Sequence, residues 1–229
     1  MPQDYSDKFA NLSKTLKKQQ GTYSVYINDL KSNKKYFYNE GQSYYAASLF
    51  KIPVGVLVLR QSDKKNILLS DKLVYELRHA TIGTGFINTT PVGTEYSYEQ
   101  LLSALFKNSD NTAQEMILDK FDVNSKEVRE VFPGAGASNF YHKNESTVVE
   151  IGDYLSILYS GDLLLAPSKK QLFNLMSHTE FDFYFADSIK DTFSHKIGLY
   201  GGVIHDCGVI TSKDIVVCIM STGATNDNF

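Results

Sequence analysis

Ser48-Leu49-Phe50-Lys51 places a hydroxyl and an amine three residues apart at the start of an apolar segment. In a helix, residues at this spacing share a face, so the two groups would be neighbours. The first helical turn also presents free N–H groups that stabilise a developing oxyanion. Apolar neighbours disfavour the charged form of a lysine and make its amine a usable base. The segment therefore predicts a serine nucleophile, Ser48, with Lys51 as its base.

This spacing is weak evidence by itself, because it occurs twice more, at Ser32–Lys35 and at Ser62–Lys65. Both of these lie in polar, turn-like stretches. A serine that caps a helix, followed by a lysine whose amine reaches solvent, is the more common explanation of an isolated match. The functional interpretation therefore depends on further segments.

Two further segments could supply the rest of a site. Ser109-Asp110-Asn111 joins two predicted helices and could present a hydroxyl and a carboxamide to a cleft, although all three residue types also cap helices. His195-Lys196-Ile197-Gly198 lies on a predicted strand followed by more glycines, which lets a ligand backbone approach the strand. An exposed lysine on an edge strand is the alternative for Lys196.

The elements that must position these groups follow from periodicity. A polar helix and a hairpin come first, an apolar helix carries the serine, helices fill the middle, and three strands end the chain. The predicted helices are Asp4–Gln20, Ala46–Arg60, Ile67–Leu77, Ser97–Phe106, Thr112–Phe121, Thr147–Leu158 and Ser168–Met176. The predicted strands are Thr22–Leu30, Lys35–Tyr38, Thr192–Tyr200, Gly202–Ile210 and Asp214–Thr222. Thr112-x-x-Glu115 and Thr147-x-x-Glu150 have the spacing of capping boxes.

This order predicts a mixed α/β (α+β) fold, with an antiparallel sheet built from both chain ends, packed helices and an inserted helical subdomain. We expect a single domain over residues 1–229. Its α/β subdomain covers about 1–61 and 186–229, and its helical subdomain covers about 62–185.

Composition excludes several functional classes. The 229 residues carry 23 Lys plus Arg and 26 Asp plus Glu, and the lysines are scattered, so no basic surface for nucleic acid is indicated. The longest apolar run, Ile52–Leu59, is far shorter than the ~20 residues that cross a bilayer. The five His residues lack metal-ligand spacing, and two Cys residues cannot form a Cys-rich zinc site.

In their order and spacing, the three segments resemble the S-x-x-K, S-D-N and K-T-G motifs of class A β-lactamases and penicillin-binding proteins. The chain is identified as a member of this serine acyl-transferase superfamily, closest to the class A type, over essentially its whole length. The resemblance extends to Thr84-Gly85, Tyr98–Leu102, Asn108–Ala113, Ser146–Val148 with Glu150 and Leu155, and His205–Val209.

The resemblance implies a role for each matching residue. Ser48 would be the acylated nucleophile, Lys51 its base, and Ser109 the group that passes a proton to the leaving nitrogen. Lys196 would hold the local field and attract an anionic substrate. The substrate-binding residues would be Asn111, for a side-chain amide, with Gly198 and Leu199 on the strand. The N–H groups of Ser48 and Leu199 would form the oxyanion hole, and Asp110 would be structural. No metal or organic cofactor is implied.

The sequence departs from the family pattern in three places. The segment Pro133–Glu145 lacks E-x-x-L-N, whose glutamate activates the deacylating water in class A enzymes, and its only acid, Glu145, is better explained as a solvated or capping residue. Ile197 replaces a Thr or Ser that binds the substrate carboxylate. The chain has only three Arg residues, none near the last strands. His195 or His205 could take the place of a carboxylate-binding arginine, although an isolated histidine on a strand is more often structural.

These departures leave the acylating groups intact and predict slow or weak β-lactamase activity. The alternatives are a peptidoglycan D,D-carboxypeptidase or transpeptidase, and a non-catalytic binding module on the same fold. The expected partner is a small molecule or a peptidoglycan peptide, and we expect a monomer. A cell-wall substrate requires export, so we expect an extracytoplasmic protein with a signal or anchor segment upstream of Met1.

Cys207 and Cys218 face each other if Ser212-Lys213 forms a two-residue turn between the last two strands, because opposite positions then sum to 425. They would form a hydrogen-bonded pair with Cα atoms ~5.5 Å apart. That distance permits a disulfide, but we expect two buried free thiols.

Overall fold

The computed structural model describes residues 5–121, 125–131 and 143–224. Two compact units make up the chain. The sheet unit contains the described parts of Met1–Leu49, Gly134–Gly161 and Asp182–Phe229, and the helical unit those of Phe50–Pro133 and Asp162–Phe181. The subdomain boundaries expected from the sequence stay a prediction.

The elements alternate along the chain much as periodicity predicts. The helices are α1 (Ser6–Leu16), α2 (Lys51–Asp63), α3 (Tyr98–Lys107), α4 (Asn111–Leu118), α5 (Lys126–Val131), α6 (Val148–Ser160) and α7 (Ala166–Met176). The strands are β1 (Thr22–Asp29), β2 (Lys34–Tyr38), β3 (Tyr44–Tyr45), β4 (Lys72–Val74), β5 (Glu95–Ser97), β6 (Glu145–Ser146), β7 (Phe193–Tyr200), β8 (Val203–Ile210) and β9 (Ile215–Thr222). Short 3₁₀ turns lie at Ala47–Phe50, Leu77–His79, Ile87–Thr89 and Ala186–Ser188.

The sheet unit contains a five-stranded antiparallel sheet in the order β2-β1-β9-β8-β7. The predicted sheet built from both ends of the chain is therefore confirmed. Helix α6 packs closely on this sheet at Gly152, where a Cβ atom would lie 2.4 Å from a ring carbon of Tyr26. Only glycine allows the helix backbone to come this near to the sheet.

The helical unit is organised around α2, whose residues are buried on nearly every side. Burial all round follows from a sequence that is apolar on all faces. At Gly55 the helix lies against Phe106 of α3, where a Cβ atom would come 2.4 Å from the ring. Among the described residues, no helix combines the length and the apolar character needed to cross a bilayer.

Two predictions of local structure are wrong. The predicted helix Ile67–Leu77 is instead a strand, β4, paired with β5, followed by a 3₁₀ turn. Leu73 and Tyr75 are buried while Lys72 and Val74 are exposed, so the apolar residues follow the period of a strand rather than that of a helix.

The predicted capping box Thr112–Glu115 is also wrong, because the N-cap of α4 is Asp110, whose side chain accepts a hydrogen bond from the Ala113 N–H. An aspartate at the N-cap is as effective as a serine or threonine, so the helix begins two residues earlier than the Thr112 box predicts. The box at Thr147–Glu150 is confirmed.

Cys207 and Cys218 form a disulfide, so the expectation of free thiols is wrong. Their predicted pairing on β8 and β9 is confirmed. Both are fully buried, and their Cα atoms are 4.0 Å apart. That is the spacing of a non-hydrogen-bonded pair rather than the expected hydrogen-bonded one. The loop between the strands has four residues, 211–214, instead of two, which shifts the alternation of pairs by one position.

Removal of this cross-link should destabilise the protein without changing its fold. For the double variant Cys207→Ala/Cys218→Ala, we expect a loss of about 2–4 kcal/mol in the free energy of unfolding, because a link between residues eleven apart restricts the unfolded chain. Urea denaturation measures the loss. Dithiothreitol should lower the stability of the wild type and leave the double variant unchanged. Equal stability of the two proteins without reductant would contradict the prediction.

Candidate active site

Ser48 lies in the 3₁₀ turn Ala47–Phe50, which continues directly into α2. The turn is closed by the Leu49 N–H, which donates to the Ala46 carbonyl at 3.1 Å. Ala47 has a φ of +51°, a left-handed conformation that is unfavourable for a residue with a Cβ atom. Such strain persists only where the surroundings enforce it, and it is concentrated at functional sites.

Strand β7 passes close to this segment within the sheet unit. A Cβ atom on Gly198 would lie 2.8 Å from the Ala46 carbonyl oxygen, so only glycine fits at this position. The side chain of Leu199 is 37% exposed. The sheet unit therefore brings Gly198 next to the residues that precede Ser48.

Lys196 is fully buried on β7, and its Nζ donates to the Ile197 carbonyl at 2.8 Å. It is therefore not the exposed edge-strand lysine that the alternative interpretation describes. Ile197, the residue in place of a hydroxyl, is also buried.

Lys51 and Asn111 meet in the helical unit. The Lys51 side chain is 2% exposed, and its Nζ donates to Asn111 Oδ1 at 2.7 Å. Burial lowers the pKa of Lys51 to about 8, although the negative charges of Asp110 and Glu115 oppose that shift. A neutral amide can hold the amine in place without favouring its charged form as strongly as a paired carboxylate would.

The segment Ser109–Asn111 is held by a dense set of hydrogen bonds. Asp110 caps α4 with Oδ1, while its Oδ2 accepts the Phe86 and Ile87 N–H groups at 2.7 and 3.0 Å. Ser109 is buried and left-handed, with a φ of +51°. Its carbonyl accepts a hydrogen bond from Thr84 Oγ1 at 2.6 Å. The Asp110 carboxylate therefore joins the start of α4 to the loop at Phe86 and Ile87, which is consistent with the structural role expected for it.

Two glycines in the loop before α3 make this arrangement possible. Gly83 and Gly85 have φ values of +123° and +108°. Cβ atoms on them would lie 2.4 Å from Asn111 Nδ2 and 2.2 Å from the Asp110 carboxyl carbon. The loop is tied to the segment again where Asn111 Nδ2 donates to the Ile82 carbonyl. Sequence reasoning noted Thr84-Gly85 as part of the resemblance but missed this role.

His205 is not placed to bind a substrate carboxylate. It is fully buried, and burial lowers its pKa to about 4, so the imidazole is neutral near pH 7. One ring nitrogen lies 2.9 Å from the Tyr45 carbonyl, and the other accepts the Ser221 N–H. These contacts are those of a structural histidine, the more common explanation of an isolated histidine on a strand.

His195 is also already engaged. Its Nδ1 lies 2.6 Å from Asp206 Oδ1 and its Nε2 lies 2.9 Å from Asp182 Oδ1. Its ring stacks on Phe193. Burial would lower the pKa of His195, but the hydrogen bonds and charges of Asp206 and Asp182 outweigh burial and raise it. Burial also raises the pKa of Asp206.

The three arginines all belong to the helical unit. Arg60 donates to the Leu163 carbonyl and pairs with Glu130, and Arg78 pairs with Glu76 and Asp119. Arg129, on α5, is exposed. Within residues 5–121, 125–131 and 143–224, no group of three or more His, Cys, Asp or Glu side chains could hold a metal ion.

Each unit thus carries part of the predicted set. Ser48, Lys196, Gly198 and Leu199 belong to the sheet unit, and Lys51, Ser109 and Asn111 to the helical unit. Their assignment as site residues stays a prediction. Of the segment Pro133–Glu145, residues 133–142 lie outside the described residues, while Glu145 begins β6 opposite Tyr45.

The sequence matches a protein-family model described as the beta-lactamase enzyme family over residues 6–228. The chain therefore belongs to the β-lactamase enzyme family, and the superfamily inferred from the three motifs is confirmed. A comparison of the sequence with curated proteins gives no significant match.

Several solved structures share this fold. A protein named PBP-A is 19% identical, with a TM-score of 0.83 over 97% of this chain and 89% of its own. The β-lactamase from Sphaerobacter thermophilus is 20% identical, with a TM-score of 0.83 over 96% and 89%. The β-lactamase from Xanthomonas campestris is 19% identical, with a TM-score of 0.81 over 97% and 91%. The predicted fold class is confirmed.

The lowered pKa of Lys51 can be measured directly. We expect its amine to titrate with a midpoint near pH 8, followed by ¹³C NMR of labelled lysine side chains and assigned with the variant Lys51→Arg. Glu115→Gln removes a charge that raises this pKa, so the midpoint should fall. Glu99→Gln, on α3, is the matched control and should leave it unchanged. A midpoint at the ordinary value of 10.5 would contradict the buried environment.

The His195 cluster should make stability depend on pH. Because the folded pKa of His195 is raised, its contribution is fully present below the ordinary value of 6.5 and is lost as the pH rises through the folded pKa. We expect His195→Gln to cost roughly 3–5 kcal/mol of unfolding free energy at pH 6, and less at higher pH, because it breaks a buried ion pair.

Urea denaturation between pH 6 and 9 measures this difference. His178→Gln, at an exposed histidine, is the matched control and should cost little at any of these pH values. A cost for His195→Gln that stays constant over the range would mean that His195 is neutral in the folded protein.

Proposed function

We propose that this protein is a serine hydrolase of the β-lactamase and penicillin-binding type, which forms an acyl-enzyme on Ser48 with Lys51 as the base. The observation that carries the proposal is the state of Lys51. Its amine is buried, is one helical turn along the chain from Ser48, and has a pKa of about 8. At pH 7 roughly one molecule in ten then has a neutral amine, against about one in several thousand for an ordinary lysine.

In the proposed acylation, one proton leaves the Ser48 hydroxyl and one proton is delivered to the leaving nitrogen. Ser48 Oγ forms a bond to the substrate carbonyl carbon as its proton passes to the neutral Lys51 Nζ. The carbonyl oxygen becomes an oxyanion, for which the Ser48 and Leu199 N–H groups are the donors. The bond from carbon to the leaving nitrogen then breaks, and that nitrogen takes a proton through the Ser109 hydroxyl. With a β-lactam the nitrogen stays attached to the acyl group through the opened ring, so the acyl-enzyme keeps the whole mass of the substrate, whereas a peptide substrate would release a free amine.

Hydrolysis of the acyl-enzyme needs a second nucleophile. The oxygen of a water molecule bonds to the acyl carbon, the bond to Ser48 Oγ breaks, and a proton returns to Oγ. A positioned general base typically contributes 10²–10⁴-fold to such a step. Because Pro133–Glu145 lacks the glutamate pattern of class A enzymes, we propose slow deacylation and weak β-lactamase turnover.

Substrate recognition is also proposed to differ from that of an efficient β-lactamase. Ile197 offers no hydroxyl, and Lys196 is the proposed attractor of an anionic substrate. Asn111 would receive the side-chain amide of the substrate.

A second candidate is a peptidoglycan D,D-carboxypeptidase or transpeptidase, and a third is a non-catalytic module that binds cell-wall peptide. The absent E-x-x-L-N pattern and Ile197 favour these alternatives, whereas the buried, weakly basic Lys51 favours an enzyme. A penicillin G acyl-enzyme complex is described for an L158E mutant of PBP-A, which shares this fold. A cell-wall substrate would place the protein outside the cytoplasm.

Intact-mass measurement after incubation with a penicillin tests the proposal. The wild type should gain the mass of one penicillin, and the adduct should persist for minutes or longer because deacylation is slow. Ser48→Ala should gain no mass. Ser62→Ala is the matched control, since Ser62 also precedes a lysine by three residues, and it should behave as the wild type.

Each other outcome has a distinct meaning. Absence of an adduct with any β-lactam or activated ester would refute the acyl-enzyme proposal and favour the binding module. A brief adduct followed by complete hydrolysis of the penicillin would refute slow deacylation while supporting Ser48 as the nucleophile.

A further inference from the structure

We propose that Asn144 is a positioning residue for the nucleophile, which fixes the peptide immediately before Ser48 so that the Ser48 N–H can act as an oxyanion donor. The inference rests on the proposed function, because it concerns the rate at which Ser48 is acylated. Asn144 is 96 positions from Ser48 along the chain, yet both belong to the sheet unit.

Asn144 contacts the segment before Ser48 through two hydrogen bonds of opposite direction. The Ala46 N–H donates to the Asn144 carbonyl at 2.7 Å. The Asn144 side-chain Nδ2 donates to the Ala47 carbonyl at 3.2 Å. The second bond matters most, because the carbonyl of Ala47 and the N–H of Ser48 belong to the same planar peptide. Whatever orients that carbonyl also orients the proposed oxyanion donor.

The position of Asn144 follows from the short strand pair β3–β6. Tyr44 lies opposite Ser146 and Tyr45 opposite Glu145, so Asn144, the residue immediately before β6, lies beside Ala46. Beyond this strand pair both segments leave the extended conformation, because Asn144 has a φ of +52° and Ala47 a φ of +51°. Asparagine tolerates this left-handed conformation, but alanine does so poorly. The left-handed state of Ala47 must therefore be held by its surroundings.

Three contacts hold this segment within the sheet unit. Asn144 bonds both Ala46 and Ala47, Gly198 lies against the Ala46 carbonyl, and the Leu49 N–H closes the turn onto Ala46. Of these, only the Asn144 amide bonds the peptide that carries the Ser48 N–H. Its loss should leave the fold in place and release the orientation of that one peptide.

The side-chain oxygen of Asn144 argues against a purely stabilising role. Asn144 Oδ1 is buried and has no hydrogen-bond partner among the described residues. A buried acceptor without a partner destabilises the folded state. Removing the whole amide therefore removes a cost as well as a hydrogen bond, so the net effect on stability should be small. A large effect on acylation with a small effect on stability distinguishes positioning from general support of the fold.

The variant Asn144→Gly separates the side chain from the backbone. Glycine keeps the left-handed conformation and the carbonyl that accepts from Ala46, and it removes only the amide. We expect the rate constant for acylation of Ser48 by a penicillin to fall by about 10²-fold, the order seen on loss of one oxyanion donor. The dissociation constant of the initial non-covalent complex should change less than threefold, and the midpoint of thermal unfolding should stay within a few degrees.

Asn39→Gly is the matched control. Asn39 belongs to the same unit, has a φ of +54°, and donates its Nδ2 to the Tyr23 carbonyl at 3.0 Å rather than to the segment before Ser48. The substitution therefore removes the same kind of bond from the same backbone conformation. Its acylation rate should match that of the wild type within twofold.

Asn144→Asp provides a second test if the glycine variant fails to fold. Aspartate has the same shape but places an oxygen, without a donor, towards the Ala47 carbonyl. Acylation should again slow by 10²-fold or more.

The outcomes separate this inference from the proposed function. If the wild type forms no adduct, the proposed function is overturned, and the positioning role of Asn144 is overturned with it. If the wild type is acylated and Asn144→Gly reacts at the same rate, the positioning role alone is overturned. Equal slowing in Asn144→Gly and Asn39→Gly would also overturn it, because general loosening of the unit would explain both.

Discussion

The burial of the Lys51 amine beside an amide, rather than a carboxylate, is the interaction on which the proposed chemistry of this protein depends. A carboxylate at hydrogen-bond distance would hold the lysine in its charged form and remove it as a base. Asn111 fixes the amine at 2.7 Å while leaving its pKa near 8. The aspartate one position earlier could have supplied that charge. It is instead directed into three backbone N–H groups, where its charge is shared.

The loop that contains Gly83 and Gly85 keeps the side chains of Asp110 and Asn111 directed to these different partners. The loop that donates two N–H groups to Asp110 must pass so near that Gly83 and Gly85 are required. Ser109, which precedes Asp110, adopts a left-handed conformation, and the Thr84 hydroxyl donates a hydrogen bond to the Ser109 carbonyl. A strained serine and two obligatory glycines are costly local choices, which natural proteins make where geometry serves a site.

Sequence reasoning predicts this arrangement unevenly, for a physical reason. Elements with a clear period, such as β1 and the apolar α2, agree with prediction within a few residues. The pattern around β4 predicts a helix instead of a strand, because a strand of three residues is too short to define a period of two. Whether Cys207 and Cys218 form a disulfide depends on the redox state as well as on the strand register, and residue spacing predicts only the register. The contact of Asn144 with Ala47 joins residues 97 apart and has no local signal.

The two proposed chemical steps would use different parts of the chain, and this explains why sequence can point to one and not the other. The proposed acylation depends on short segments, Ser48–Lys51 and Ser109–Asn111, in which spacing along a helix or cap already dictates which groups are neighbours. Deacylation would depend on the position of a basic carboxylate outside those segments, and that position is set by the conformation of a loop rather than by its composition. A chain can therefore keep the residues of the first step while its loop sequence diverges from the pattern that serves the second. Acylation without rapid release suits a protein that captures its substrate, whereas efficient turnover requires both.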